Sequence, residues 1–306
     1  MKLQPWMIPG DLAPGDKKSA HADMSRIELH RITSADDPLF KMAFDALWKE
    51  FGHSGELEPA EILAARLRRN SQPMRYEMIL LTSAGEFAAA CDHTIFVRPV
   101  AQADSVCVAE KRGTGILPLP SESGTKPVPL EGPAQSALVH ISHNLVVPAW
   151  RRTGLAGWLR AISVTSGREH LASLGFQDAP VTVIGEVEYL DHSHAGNIGR
   201  LHAYEKAGYK KIDPSRLHYC QPDFRPHEQI DREGKPSPVP LCLVIRRVGC
   251  EEIDFITGGE IRQIVGLLYQ MFAMDLRPQD MECVYESLNA YPASDERIAL
   301  VPPTAA

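Results

Sequence analysis

The sequence is short of several features, and each shortage closes off a class of function. Six cysteines (Cys91, Cys107, Cys220, Cys242, Cys250 and Cys283) are scattered over 306 residues with no Cys-x-x-Cys pair, so zinc held by paired thiolates is not indicated. A chain of this length folds without covalent staples, and all six are expected to be reduced thiols. There is no dense run of Lys and Arg, and 32 basic against 39 acidic residues leave a net charge of −7. Nucleic acid suits such a surface poorly, and a cationic small molecule suits it better. No apolar run approaches the length of a membrane span, and the opening stretch MKLQPWMIPGDLAPGDKKSAHAD has no uninterrupted apolar core of the signal-peptide kind. The expected location is the cytoplasm, with no membrane contact.

What is present suffices for one large domain with additions, since 44% of residues are hydrophobic. Residues 1–25 carry Pro, Gly, Asp and Lys without periodicity and are expected to form a flexible tail or an arm. Phe40, Ala43, Phe44, Leu47, Trp48 and Phe51 recur at helical spacing, and Pro59 opens a second helical stretch. Two helices are therefore expected before the first strand. The run from Tyr76 to Val97, broken by Ser-Ala-Gly, predicts a hairpin. Residues 98–134 are rich in Pro and Gly and predict a long loop or insertion. ALVHISHNLVV reads as a strand, Gly154 to about Leu174 as a helix, PVTVIGEVEYL as a strand and NIGRLHAYEKAG as a helix. YKKID and PLCLVIRRV complete the strands. Residues 26–250 form the main domain in this division. The remainder, 251–306, is expected to be a helical C-terminal extension: Thr257-Gly-Gly-Glu260 has capping-box spacing, followed by an apolar stripe from Ile261 to Phe272. The whole is an α/β layout with a mixed sheet and helices on both faces.

One stretch, NLVVPAWRRTGLAGWL, places a glycine-rich turn between a strand and a helix. A helix start offers unpaired N–H groups and the positive end of the helix dipole, which suits an anion. Gly154, Ala156 and Gly157 let oxygens approach the backbone, and Arg151 and Arg152 add forked donors. The expected ligand carries a diphosphate. The P-loop ending and the glycine set of the dinucleotide fingerprint are both missing.

The same stretch, read as Val146, Pro148, Arg151, Gly154 and Ala156, resembles the acyl-CoA binding motif of the GNAT superfamily of N-acetyltransferases. A second motif of that family has its counterpart downstream in Asn197, Tyr204, Glu205, Lys206 and Gly208, with Arg200 where a small residue is usual and Tyr209 in place of Phe. The resemblance spans about residues 37–248. It implies a GNAT-like fold that uses acetyl-CoA as co-substrate. Backbone groups of Leu145, Val146 and Val147 would hydrogen-bond the pantetheine arm at a splayed, bulged strand. Residues 151–157 (Arg151, Arg152, Thr153, Gly154, Leu155, Ala156, Gly157) would wrap the pyrophosphate, and Asn197 would touch the cofactor. Tyr204 would act as the general acid toward the departing thiolate.

An amine must lose a proton before it attacks a thioester, so a base is also required. Period-two alternation places His140, Ser142 and Asn144 on one face of their strand with His143 on the other, and Glu186 and Glu188 together on the next. Glu188 and His140 are the leading candidates for the base. Plainer roles stay open for each: a core aromatic for Tyr204, a satisfied interior histidine for His140, and Arg or backbone partners for Glu186 and Glu188. Asp191, His192 and His194 form a loop cluster without a more distant ligand, and no metal site is assigned. The expected activity is direct acyl transfer to a primary amine of a small molecule or peptide, with a homodimer possible through the C-terminal helices. A non-catalytic CoA-binding module is the alternative, and a nucleotide-binding oxidoreductase the weakest one.

Overall fold

The computed structural model describes residues 11–17, 23–52, 56–70, 74–100 and 135–305. Most of the expected 98–134 loop, and Cys107 within it, therefore lies outside the described residues. Ten strands join in one sheet: β1 (Ile27–Ile32), β2 (Met74–Ser83), β3 (Glu86–Pro99), β4 (Gln135–Val146), β5 (Val181–Val187), β6 (Lys210–Ile212), β7 (Tyr219–Gln221), β8 (Val239–Arg247), β9 (Phe255–Thr257) and β10 (Arg297–Val301). The strand order is β1-β2-β3-β4-β5-β8-β6-β10-β9, with β7 on β8. Only β4 and β5 pair in parallel among these neighbours, and they do so because a helix crosses between them.

Eight helices flank the sheet among the described residues: α1 (Pro14–Lys17), α2 (Phe40–Leu47), α3 (Ala60–Arg68), α4 (Leu155–Ser173), α5 (Ala195–Lys206), α6 (His227–Glu233), α7 (Gly258–Ala273) and α8 (Pro278–Ser287). On one face α4 and α5 pack over β4 and β5, where Val164 and Leu201 meet Val139, Ile141 and Val183. The opposite face carries α2 and α3 over β2 and β3, and α7 and α8 over β5 and β8. The mixed α/β expectation thus matches the structure.

Several elements differ from expectation. Strand β1 precedes the first pair of helices and ladders onto β2 from Ile27↔Ser83 to Ile32↔Met78, so the chain does not begin with two helices. Six residues whose pattern is interrupted by His30-Arg31 carry too little periodicity to mark a strand alone. The C-terminal segment is more than helical, because β10 pairs with both β6 and β9 and extends the common sheet. The Thr257 hydroxyl accepts from the Glu260 amide at 3.2 Å as the capping spacing predicts. Glu260's own carboxylate turns instead to the buried guanidinium groups of Arg247 (2.7 Å) and Arg98 (3.5 Å). A second buried network binds α7's end to α3: Arg66 reaches Glu58 and also Asp275 (2.7 Å), and Arg69 reaches Asp275 as well.

The N-terminal arm is docked where it is described. Leu12 and Ala13 are buried in the core around α4. The Asp11 carboxylate accepts from Thr165 and Arg168, and Asp16 accepts from Arg160. This cover leaves α4 buried nearly all round. Cys91, Cys220, Cys242 and Cys283 carry free thiols. Cys250 is disulfide-bonded, which corrects the all-reduced expectation. Bridges between distant residues depend on spatial approach and leave no local spacing to read.

Candidate active site

The parallel ladder between β4 and β5 stops at Ile141↔Gly185. Beyond it β4 runs on to Val146 paired only with β3, while β5 stays with β8 through Val187↔Cys242. The two strands therefore part at their carboxyl ends, where open α/β sheets place their ligands. Tyr204 stands at this opening. A methyl placed on Gly185 would sit 3.9 Å from the Tyr204 hydroxyl and 3.7 Å from the Ile141 carbonyl oxygen. Burial raises the Tyr204 phenol above its usual range, against the pull of Arg160, whose guanidinium carbon lies 6.0 Å from the ring centroid.

A bulge controls what β4 presents. Asp92 pairs with His143 but His93 pairs with Ile141, so Ser142 is an extra residue and the alternation reverses across it. His140 and His143 consequently share the α2/α3/α7 face. Asn144, paired with Cys91, turns to the α4 face, where the Cys91 sulfur lies 3.9 Å from the Ser163 hydroxyl. This corrects the uninterrupted alternation expected for His140, Ser142 and Asn144. Both amide atoms of Asn144 and the Ser142 hydroxyl are buried without a hydrogen-bond partner among the described residues.

Above the split, the turn into α4 holds Arg152 at φ 65° and Gly154 at φ 94°. The first helical amides to find carbonyls are Gly157 (3.0 Å) and Trp158 (3.2 Å), both to Gly154 O. Among the described residues the five amides from Arg152 to Ala156 donate to no protein acceptor. Unpaired amides at the start of a nineteen-residue helix are donors of the kind that suit an anion. Arg151 and Arg152 are exposed beside it. Arg151 donates from Nε to the Val146 carbonyl (3.1 Å), and Thr153 donates its hydroxyl to Trp150 O (2.6 Å), which pins the turn to the strand end. Leu155 is buried and Gly157 meets Asp16 so closely that a Cβ would fall 2.7 Å from its Cγ. Val147 and Leu145 remain laddered to β3 through Ala88 and Ala90.

No family model matches this sequence, and no curated protein matches it. Several solved acetyltransferase structures do resemble it in part. A tandem GNAT protein of the clavulanic acid biosynthesis pathway is 17% identical with a TM-score of 0.35, covering 64% of this chain and 46% of its own. This chain thus spans under half the length of that protein. An agmatine N-acetyltransferase is 14% identical (TM-score 0.35), covering 72% of this chain and 99% of its own. A polyamine N-acetyltransferase of Drosophila melanogaster is 15% identical (TM-score 0.34) with the same coverage.

The remaining expected residues divide. Asn197 is buried, and its side chain is engaged by the loop before α5: its oxygen accepts from Asp191 N (3.0 Å) and its amide donates to Tyr189 O (3.1 Å). It shapes that loop. Glu188 lies just past β5, with its side chain 42% exposed, and pairs with Arg200 of α5 at 3.0 Å. Its charge also acts on the Tyr204 phenol, adding to the upward shift that burial causes. His140, 1% exposed, faces α7 with Nε2 3.0 Å from Glu186 Oε2 and its ring edge-on to Phe272. The Glu186 carboxylate also accepts from the Tyr219 hydroxyl at 2.5 Å. His143 lies between Asp92 (2.8 Å) and the Glu56 carbonyl (3.0 Å); though burial opposes its charge, Asp92 raises it to about 9. Asp191 caps its own turn through Ser193 and His194, and among the described residues no three metal-ligating side chains converge. No described helix is long and apolar enough to cross a membrane.

Tyr219 and the Asp16–Arg160 pair were not anticipated. A three-residue strand gives Tyr219 no periodic signal, whereas an arginine within the apolar run WLRAI was a visible one.

Proposed function

We propose that the protein is an acyl-CoA-dependent N-acyltransferase that moves an acetyl group from acetyl-CoA directly onto a primary amine of a small molecule or peptide. The observation that carries this is the meeting, at one split between β4 and β5, of five unpaired amides and a phenol held protonated by burial. The residues present fit the co-substrate. The amides of Arg152 to Ala156, with the Arg151 and Arg152 side chains, suit its pyrophosphate. Orphaned polar atoms on Asn144 and Ser142 suit an amide-bearing arm that enters the split.

The co-substrate supplies an activated acyl thioester. Tyr204 serves as the proton donor at the leaving sulfur, since a phenol in this surrounding keeps its proton at neutral pH. On the other side of the sheet, His140 holds Nε2 against Glu186, which leaves Nδ1 as the lone pair that takes a proton from the incoming ammonium. Glu186 orients that ring. Glu188, tied to Arg200, serves the wall of the cleft.

The test is a calorimetric titration with CoA followed by thiol release from acetyl-CoA across a panel of primary amines. Micromolar to millimolar CoA binding, with amine-dependent thiol release for at least one amine, is expected. CoA binding without product for any amine would favour the non-catalytic module, and absence of CoA binding would end both.

A further inference from the structure

The acyltransferase assignment leaves unexplained a buried polar chain that reaches away from the split into the C-terminal part of the molecule. Tyr219 and Glu186 approach through β8, on which their partners Leu241 and Leu243 are two residues apart and so share a face. Tyr219 is fully buried, and its hydroxyl donates to Glu186 Oε1 at 2.5 Å. The other carboxylate oxygen meets His140 Nε2 at 3.0 Å, and His140 Nδ1 is buried without a partner. Helix α7 roofs the chain: Tyr269 stacks on Tyr219 with centroids 5.9 Å apart, and Phe272 stands over the His140 ring. Burial holds the Tyr219 phenol well above its usual range, so it is a donor at every working pH. The other groups facing this chain are Tyr269 from α7, Tyr291 from the segment after α8, Thr94 beside His140 on β3 and Leu243 on β8.

We propose that Tyr219 is a positioning residue for the transfer, acting through Glu186 to fix which ring nitrogen of His140 carries the proton and which keeps the lone pair. A carboxylate accepts only; with one oxygen satisfied by Tyr219, the other is directed at His140 Nε2–H. Nδ1 is then the free base. Tyr219 also tempers the anion, because a hydrogen bond to a carboxylate stabilises its charge and weakens its hold on an adjacent imidazolium. Removing the hydroxyl leaves that charge to His140 alone, so the pair protonates at higher pH. This role rests on the acyltransferase assignment above, whereas the chain of contacts stands by itself.

The experiment uses the full chain with nitrogen-15-labelled histidine, following the ring nitrogens by NMR against pH, with His140→Gln to assign the His140 signals. Tyr219→Phe keeps the ring stack and is expected to raise the titration midpoint of His140 by about one pH unit. Glu186→Gln, which removes the charge, should lower it. Tyr269→Phe loses a hydroxyl that donates to the Cys220 carbonyl, not to Glu186, and should leave the midpoint in place. The acid limb of the acetyl-transfer rate should move with the midpoint in Tyr219→Phe, with kcat changed and CoA affinity by calorimetry unchanged. Equal midpoints in wild type and Tyr219→Phe, equal shifts in both tyrosine variants, or a rate limb that stays put would each overturn the role while leaving the assignment standing. A wild type that binds no CoA sinks the assignment and the role with it, and the midpoints alone then report on the contact.

Discussion

Replacing Gly154 by Ala tests the anion receptor directly. Gly154 caps α4 at φ 94°, ψ −1°, a conformation that costs an L residue roughly 1–2 kcal/mol. The variant either bears that strain or relaxes by turning the peptide, which re-aims the amides of Leu155 and Ala156. Loss of one hydrogen bond to a charged group costs about 1.5–3 kcal/mol, so CoA affinity should fall roughly 10- to 100-fold. Gly234 provides the control, because it caps α6 at φ 85°, ψ −9° with open space where its Cβ would stand. Both alanine variants should lose similar stability, a melting shift of about 1.5–3 °C for a chain of this size. Only Gly154→Ala should weaken CoA in a calorimetric titration. If the two variants bind CoA as tightly as wild type does, the amides do not hold the pyrophosphate and the reasoning fails.

Tyr204→Phe should slow acetyl transfer by about a hundredfold or more while CoA affinity stays within a factor of two or so, as loss of a general acid requires; steady-state rates beside calorimetry decide it. Glu260→Ala removes the carboxylate that the buried Arg98 and Arg247 share and should cost about 3–5 kcal/mol in denaturant unfolding, whereas an exposed pair such as Lys41–Asp45 should contribute under about 0.5 kcal/mol. The buried His143–Asp92 pair makes stability depend on pH. His143 is raised to about 9 from an unfolded value near 6.5, so its contribution is complete below pH 6.5 and disappears as pH rises through 9. Asp92, first resisted by burial yet lowered by His143, contributes above its unfolded value near 3.8 and loses that contribution as pH falls below it. The His143 contribution is on the order of 3 kcal/mol, and His143→Gln should flatten unfolding free energy between pH 6.5 and 9.

Much of the site was legible because its chemistry is local. Pro148 ends a strand, Gly154 accepts a left-handed turn and the apolar spacing after it makes a helix, all from neighbouring residues. The Asn197 and Tyr204 spacing likewise places Tyr204 on the inner side of α5, where it packs on Tyr209. Glu188 marks where local reading stops: it follows the parity of Glu186, but β5 ends at Val187, and past a strand end parity no longer assigns a face.

By itself the sequence determined the elements around the split and the turn that exposes five amides, since backbone conformation is set by side chains a few positions away. Tertiary structure alone decided the bulge at Ser142 that turns Asn144 from the His140 face, the docking of Asp16 on Gly157, and the contact that brings Tyr219 to Glu186 across 33 positions. Those outcomes depend on register and on partners distant in the chain, where the free energy belongs to the pair and neither residue carries it in its own neighbourhood.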